Sequence, residues 1–304
     1  MKHMKITTAE LAKICRTTQG TVDRALNNRT GIKEETKRKI LNAAKQYGYR
    51  NCVGSSCADK ISGQVGVIVF NLNNEYFSEL VMEVENILKK IGFCTIVMMT
   101  NYDKRQEIEC IRNMYNMGVK GIILCSVNSG DEFLQYLKMF DIPIVAVGND
   151  IGGVPYVGID DFAAMRDMTQ KLKNEGYKKF IYFSPAINYE SAYAQKLRYK
   201  GFLCAAKGGD YEVIDDIGKI KTSYDNKSAV ICSTDYYAFL VYAKAKNAKV
   251  VGFDNLKAIE KYNLNIDSVG YCVGEIARTA VDIIMLNKKE GKILEHKIES
   301  HSYN

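Results

Sequence analysis

Residues 18–27, Thr-Gln-Gly-Thr-Val-Asp-Arg-Ala-Leu-Asn, hold a set of side chains suited to reading the edges of bases. Gln19 can pair with adenine, Arg24 with guanine, and Asp23 can accept from cytosine N4. Asn27 shares their outward face if Val22, Ala25 and Leu26 point inward. Thr18 and Thr21 can hold phosphates, helped by a helix N-terminus. Gly20 costs a helix about 1 kcal/mol relative to Ala. A close approach of the backbone to DNA would account for that choice.

Catalytic chemistry is poorly supplied by comparison. The three histidines are His3, His296 and His301, all near the ends, so acid–base work and metal ligation by imidazole lack residues. Nine cysteines are an odd number and cannot close a full disulfide framework. No Cys-x-x-Cys occurs, and Cys52 and Cys57 have no His beside them, so no metal site is expected. Cys94, Cys125 and Cys232 lie in or beside apolar runs, where a free thiol acts as a small hydrophobe. No G-x-G-x-x-G and no G-x-x-x-x-G-K-[ST] follows a predicted strand, which removes the glycine cradle for a nucleotide phosphate. The reading is of a protein with no catalytic residue, no cofactor and no metal.

The elements that must position the base-reading residues are short helices. Thr7-Thr8-Ala9-Glu10 is a capping box, with Thr7 at the N-cap and Glu10 three residues on. It predicts a helix with Leu11 and Ile14 facing inward. A second helix starts after Thr18 and runs through Asn27. A third covers Lys33–Tyr47, with Ile40, Ala43, Ala44 and Tyr47 on one face, and Gly48 ends it. Three helices with a tight first turn make a helix-turn-helix, whose second helix lies in the major groove. Charge agrees. Of 304 residues, the first 60 carry 13 Lys and Arg against 5 Asp and Glu, a net +8. The other 244 carry 29 against 30, a net −1. A basic head on a neutral body suits a polyanion-binding module, although a solubilising surface has the same composition.

The head resembles that of the lactose/galactose-repressor (LacI/GalR) family. The resemblance is carried by Thr8-Ala9-Glu10-Leu11-Ala12, by Gly20-Thr21-Val22-Asp23-Arg24-Ala25-Leu26-Asn27 and by Thr36-Lys37-Arg38-Lys39-Ile40. Asp23 and Lys33 each stand where the family has Ser. The resemblance implies an all-α head over residues 1–49 and a hinge over 50–63. In the family, the hinge forms a helix on DNA and wedges a Leu into the minor groove. Here Ala58 stands at the wedge position, and Gly54, Ser55 and Ser56 disfavour a helix. Flexible tethering is therefore the reading for this segment.

From residue 64 to residue 304, strand and helix signals alternate. Apolar, β-branched runs such as Val65–Phe70, Ile144–Val147, Lys179–Phe183 and Lys249–Phe253 are separated by helices such as Phe77–Ile91 and Asp161–Asn174. Repeated βα units imply parallel sheets covered on both faces. About 240 residues suffice for two such lobes, with a ligand cleft at the carboxyl ends of the strands. This stretch resembles the same family's effector domain and the periplasmic sugar-binding proteins. The matching pieces include Asn74-Glu75-Tyr76-Phe77, Val157-Gly158-Ile159-Asp160, Arg198-Tyr199-Lys200-Gly201-Phe202, Ser233-Thr234-Asp235 and Val251-Gly252-Phe253-Asp254-Asn255. The fold expected is an all-α helix-turn-helix head plus a two-lobed α/β domain like a periplasmic binding protein.

The resemblance also places an effector site. Tyr76 and Phe77 match the family's paired aromatics, which can face the C–H surface of a sugar, and Asn74 matches the adjacent polar contact. Arg198 matches a cleft-facing Arg that grips ligand oxygens. Asn149 falls where related sugar binders place a charged or amide group. Asp254 and Asp235 each fit two roles, accepting ligand hydroxyls or capping the next helix. Tyr271 stands where a Gln or Asp is usual and offers a stacking face or one hydroxyl. The chain has no Trp to stack on a sugar.

The function implied is that of a DNA-binding transcriptional regulator, usually a repressor, controlled by a small molecule of carbohydrate type. Its partners would be a roughly palindromic double-stranded operator, a sugar effector and a second copy of the chain. The chain stops without the C-terminal leucine heptad of tetrameric relatives, so a homodimer is expected. Alternatives are a sugar-binding or sugar-processing protein with an accessory DNA-binding head, and a regulator of a non-sugar ligand such as a nucleobase. No secretory signal is seen at the N-terminus, and no apolar run approaches the roughly 18 residues of a spanning helix. A cytoplasmic protein with no membrane partner is expected.

Overall fold

The computed structural model describes residues 6–27, 29–47, 49, 63–185 and 193–303. The chain divides into two compact units, Met1–Ser62 and Gly63–Asn304. Of the hinge read over 50–63, residues 50–62, with Ala58 at the wedge position, lie outside the described residues, as do His3 and Gly48, and Gly63 is the first residue of a strand.

In the first unit, the capping box starts α1 (Thr8–Cys15): Thr7 Oγ1 accepts from the Glu10 N–H at 3.2 Å, and the Glu10 carboxylate accepts from the Thr7 N–H at 2.7 Å. Thr18 caps α2 (Gln19–Leu26) by accepting from the Thr21 N–H. Lys33, the N-cap of α3 (Glu34–Gln46), makes no side-chain cap bond, and Glu34 and Glu35 face the helix's positive end instead. Leu11, Ala12, Cys15, Val22, Ala25, Ile40 and Ala44 form the core. Ile14, expected inside, is 40% exposed, and Tyr47 is also exposed. At about 100° per residue, Leu11, Cys15 and Ala12 share one arc and Ile14 falls outside it. The small Ala12 and Cys15 are what let short helices approach closely.

The second unit holds two six-stranded sheets. The first is built from β1 (Gly63–Val69), β2 (Phe93–Met99), β3 (Ile122–Leu124), β4 (Ile144–Val147), β5 (Tyr156–Ile159) and β11 (Lys292–Leu294). Its order is β11-β5-β4-β3-β1-β2, parallel throughout. Among its helices are α4 (Glu75–Lys90), α5 (Lys104–Asn116) and α6 (Asp131–Leu137). The second is built from β6 (Lys179–Phe183), β7 (Asp210–Ile214), β8 (Ser228–Cys232), β9 (Lys249–Phe253), β10 (Ile266–Gly270) and β12 (Lys297–Glu299). Its order is β12-β10-β9-β8-β6-β7, with only the edge strand β12 antiparallel. With it go α7 (Asp161–Asn174), α8 (Tyr193–Ala206), α9 (Asp235–Lys244) and the short α10 (Ala258–Lys261). The central strands β3, β4 and β8 are buried along their whole length, which explains their unbroken apolar runs.

The chain passes between the lobes three times: after β5, after β10 and after β11. After β10 it returns to the first lobe as α11 (Val273–Leu286), whose Ile276, Ala277, Ala280 and Ile284 are buried. No local pattern predicted β5, β11 or β12, which are three or four residues long. In the second lobe α8 lies directly on α7. Gly201 is the contact: a Cβ there would overlap the Phe162 carbonyl oxygen. No helix among the described residues is long and apolar enough to cross a membrane.

Candidate functional site

On the head, α2 presents Gln19, Gly20 and Arg24 fully outward, and Thr18 is exposed at its start. Thr18 is already the cap of the helix, and its Oγ1 also bonds Thr21 Oγ1 at 2.9 Å. Asp23 is half-buried. It accepts from Asn27 Nδ2 at 2.7 Å and pairs with Arg29 at 3.3 Å. Asp23 and Asn27 therefore spend part of their bonding capacity on each other, whereas Gln19 and Arg24 are the long side chains of α2 that reach furthest from the core.

A cavity of about 250 Å³ opens between the two lobes of the second unit, at the carboxyl ends of the strands. The first lobe contributes Phe70, just past β1, then Asn74, Tyr76 and Phe77 at the start of α4. Asn74 also caps that helix, its Oδ1 accepting from the Tyr76 N–H at 3.0 Å. Tyr102 follows β2, and Gly148 and Asn149 follow β4. Phe70 packs edge-on to Phe77 at 5.0 Å and stacks with Tyr102 at 4.8 Å, which makes this wall aromatic. The second lobe contributes Ala194, Gln195 and Arg198 on α8, Thr234 and Tyr237 at α9, Asp254 after β9 and Tyr271 after β10.

Arg198 organises the second wall. Its Nε donates to Asp161 Oδ1 at 2.7 Å and its Nη1 to the Ser233 carbonyl at 2.8 Å. Nη1 also lies 3.4 Å from Asp254 Oδ1, and the guanidinium sits 3.6 Å over the Phe253 ring. The Tyr271 hydroxyl donates to the same Asp254 oxygen at 3.0 Å. Burial pushes the Tyr271 hydroxyl well above its ordinary value, so it stays a neutral donor. Burial also pushes the Asp254 carboxyl up to about 6, against the pull of Arg198 and Tyr271. Asp254 has φ 112°, a left-handed conformation that costs a non-glycine residue of order 1–3 kcal/mol. Its N–H bonds the Val269 carbonyl at 2.8 Å and the next N–H bonds Ser268 Oγ at 3.0 Å, which holds the strained turn in place.

Among the described residues, contacts at Asn149 and Tyr76 join the walls. Asn149 donates from Nδ2 to the Ser126 carbonyl at 2.8 Å, and its Oδ1 accepts from the Ala194 N–H of the opposite lobe at 3.2 Å. Tyr76 meets Tyr271 edge-on, ring centroids 5.8 Å apart.

Seven of the eight cleft residues named from the sequence line this cavity: Asn74, Tyr76, Phe77, Asn149, Arg198, Asp254 and Tyr271. Asp235 does not. It is fully buried, and its carboxylate accepts from the Leu256 N–H and from Ser268 Oγ, both at 2.7 Å. Nor is it a cap, since Thr234 caps α9. Asp235 supports the Asp254 turn from behind, and burial pushes its carboxyl up to about 7. Asp254 is no cap either, because α10 starts after Lys257. Sequence reasoning missed Phe70, Tyr102, Asp161, Gln195 and Tyr237. Gln195 had a signal, lying three residues before Arg198 on the same helix face. Asp161 had none, because its partner is 37 residues away.

Comparisons with known proteins agree with this fold. The sequence pattern of the family described as periplasmic binding proteins and sugar binding domain of LacI family matches residues 62–220. Catabolite control protein A of Priestia megaterium is 26% identical over 326 residues, covering 97% of this chain and 98% of its own. The HTH-type transcriptional regulator RegA of Clostridium saccharobutylicum is 28% identical over 312 residues, covering 91% and 93%. The crystal structure of the lac repressor dimer bound to operator and an anti-inducer shares the fold, with a TM-score of 0.68, 16% identity and 98% of each chain covered. With the two lobes, the cleft between them and a sequence match over more than half its length, the chain belongs to the family of periplasmic binding proteins and LacI-family sugar-binding domains.

Proposed function

We propose that the chain is a transcriptional repressor whose affinity for operator DNA is set by a small molecule, of carbohydrate type, held between the two lobes. The observation that carries the reading is the cleft itself. Arg198 and Asp254 offer donors and acceptors opposite the aromatic faces of Phe70, Tyr76 and Phe77, with Asn149 beside those faces, the combination that suits a polyol with hydroxyl edges and a C–H face. The head supplies the output, with Gln19 and Arg24 as base readers and its other cations for phosphates. A relative matched over 91% of this chain is named an HTH-type transcriptional regulator, which supports binding without turnover as the role of the cleft.

The mechanism is linkage. A ligand moves an equilibrium only by binding one lobe arrangement better than another. Two heads on a homodimer read a roughly palindromic operator only at one spacing. Coupling of the two equilibria makes effector and operator affinities depend on each other by the same factor.

A nucleobase is the second reading, favoured by the stacked Phe70–Tyr102 pair, which offers a flat aromatic surface. A thermal-shift screen of monosaccharides, disaccharides and nucleobases separates the two, because a bound ligand raises stability by mass action. A shift with sugars and none with bases supports the carbohydrate reading, and the reverse pattern replaces it. Gel-shift titration of Arg24→Ala tests the output. Loss of about 10- to 100-fold in operator affinity is expected, and unchanged affinity overturns the groove assignment.

A further inference from the structure

The cleft presents one cation, Arg198, and one carboxylate, Asp254, with a second carboxylate, Asp161, buried behind the cation. Among the described residues that line it, Arg198 is the only Lys or Arg. Its guanidinium is already engaged on three sides, by Asp161 at 2.7 Å, by the Ser233 carbonyl at 2.8 Å and by Asp254 at 3.4 Å, with the Phe253 ring beneath it. Arg198, Asp161 and Asp254 are all at least nine-tenths buried. Asp161 is not a cavity-lining residue. It stands behind Arg198, at the first residue of α7, where the chain crosses into the second lobe.

An arginine that faced a cleft alone would be a receptor for phosphate or carboxylate. This one is neutralised from the rear. An anionic ligand would meet a guanidinium whose charge is already balanced by Asp161 and Asp254, so the site offers it no net positive charge for the cost of leaving water. It would also stand beside the Asp254 carboxylate. A neutral polyol meets neither obstacle, because it can donate hydroxyls to Asp254 while the Arg198–Asp161 pair stays intact.

We propose that Asp161 sets the charge class of the ligand: by holding Arg198 from behind, it makes the cleft accept an uncharged polyol and reject its phosphate ester. The inference rests on the reading that a small molecule occupies this cleft. Asp161 acts through Arg198 and is a positioning residue.

Two measurements on the full chain test it. The first uses inorganic phosphate alone. Asp161→Asn should gain a phosphate-dependent rise in melting temperature over the wild type, of roughly 3 °C at 10 mM. The gain should vanish in the double variant Asp161→Asn/Arg198→Met. Comparison between variants cancels phosphate held by the basic head. An Asp161→Asn protein that responds to phosphate as the wild type does overturns the proposal. The second titrates the wild type with glucose and glucose 6-phosphate, fructose and fructose 1-phosphate, and ribose and ribose 5-phosphate. The parent sugar of any pair that binds should do so about 100-fold more tightly than its ester. An ester that binds as tightly as its parent overturns the proposal, whether or not Asp161→Asn folds. If no sugar binds, the carbohydrate reading fails, and the phosphate titration still decides the role of Asp161.

Discussion

Gly201→Ala should loosen the second lobe and the cleft together. A Cβ at position 201 would overlap the Phe162 carbonyl oxygen and stand 3.0 Å from the Arg166 backbone nitrogen. Both are backbone atoms of α7, so no side chain can swing aside. Relief requires α7 and α8 to part by roughly 1 Å. Overpacking of this kind costs about 1–3 kcal/mol, with the upper half fitting a clash against backbone. Ala gains about 1 kcal/mol over Gly in a helix, which leaves a net loss of about 1–2 kcal/mol. For a unit of this size each kcal/mol lowers the melting temperature by about 2–4 °C, so a fall of about 2–8 °C is expected. The cleft is affected because the Arg198–Asp161 bond spans the same pair of helices, with Asp161 next to Phe162 and Arg198 one turn before Gly201. A 1 Å separation takes that bond beyond hydrogen-bonding distance and frees the Asp254 edge of the site. Far-UV circular dichroism melts and titration calorimetry would measure the two effects. Gly274→Ala is the control: the nearest atom to its added Cβ is Glu83 Oε2 at 3.5 Å, an ordinary contact, and no loss is expected. A Gly201→Ala protein that melts at or above the wild type, with unchanged ligand affinity, refutes the close α7–α8 packing and its link to Arg198.

Two further outcomes follow from the buried carboxylates. Glu107 on α5 is fully buried; its carboxylate accepts from the Val127 N–H at 2.7 Å, the Asn128 N–H at 3.2 Å and Ser126 Oγ, and the Ser126 carbonyl in turn holds Asn149. Glu107→Ala should therefore cost about 2–4 kcal/mol in denaturant melts, since it orphans buried donors, and should weaken ligand binding; unchanged binding would detach Asn149 from the site. The second concerns pH. Burial raises Asp235 to about 7 and Asp254 to about 6, so their contribution to stability is present when they are protonated and is lost as pH rises through 6 and 7. Asp267 runs the other way: burial raises its carboxyl, but Lys249 and Lys171 outweigh this and hold it below its ordinary value, so its contribution is lost in acid. The unliganded protein should melt highest between about pH 4 and pH 6, and a melting temperature that climbs steadily from pH 5 to pH 8 would contradict the burial of the two aspartates.

Where a pattern was local, the sequence could be read almost to the residue. The bounds of Asp161–Asn174, Lys179–Phe183 and Lys249–Phe253 follow from apolar periodicity and flanking polar residues. The capping box over Thr7 and Glu10 needed only four residues. Strand β5 was missed because Gly158 breaks its apolar run, Tyr-Val-Gly-Ile, whereas the equally short β4 is Ile-Val-Ala-Val, and β11 and β12 were missed because they are edge strands of three residues. The two aspartates show the same limit within the site. Ser233-Thr234-Asp235 and Phe253-Asp254-Asn255 look alike locally. Asp235 is turned inward by partners 21 and 33 residues away, Leu256 and Ser268, while Asp254 is left at the cavity by a positive φ. Nothing within a helical turn of either residue encodes that difference.

The three crossings between the lobes also order events during synthesis. The first sheet is not complete until α11 and β11 exist, so residues 63–159 must wait for residues 273–294, almost the end of the chain. The second sheet likewise waits for β12. The first lobe can therefore be finished only after nearly all of the second has been made. The head, by contrast, closes its core with Ala44. Because domains fold in the order in which they emerge, the proposed DNA reader is ready some 250 residues before the proposed sensor. Every nascent chain thus passes through a stage in which its output exists and its input does not.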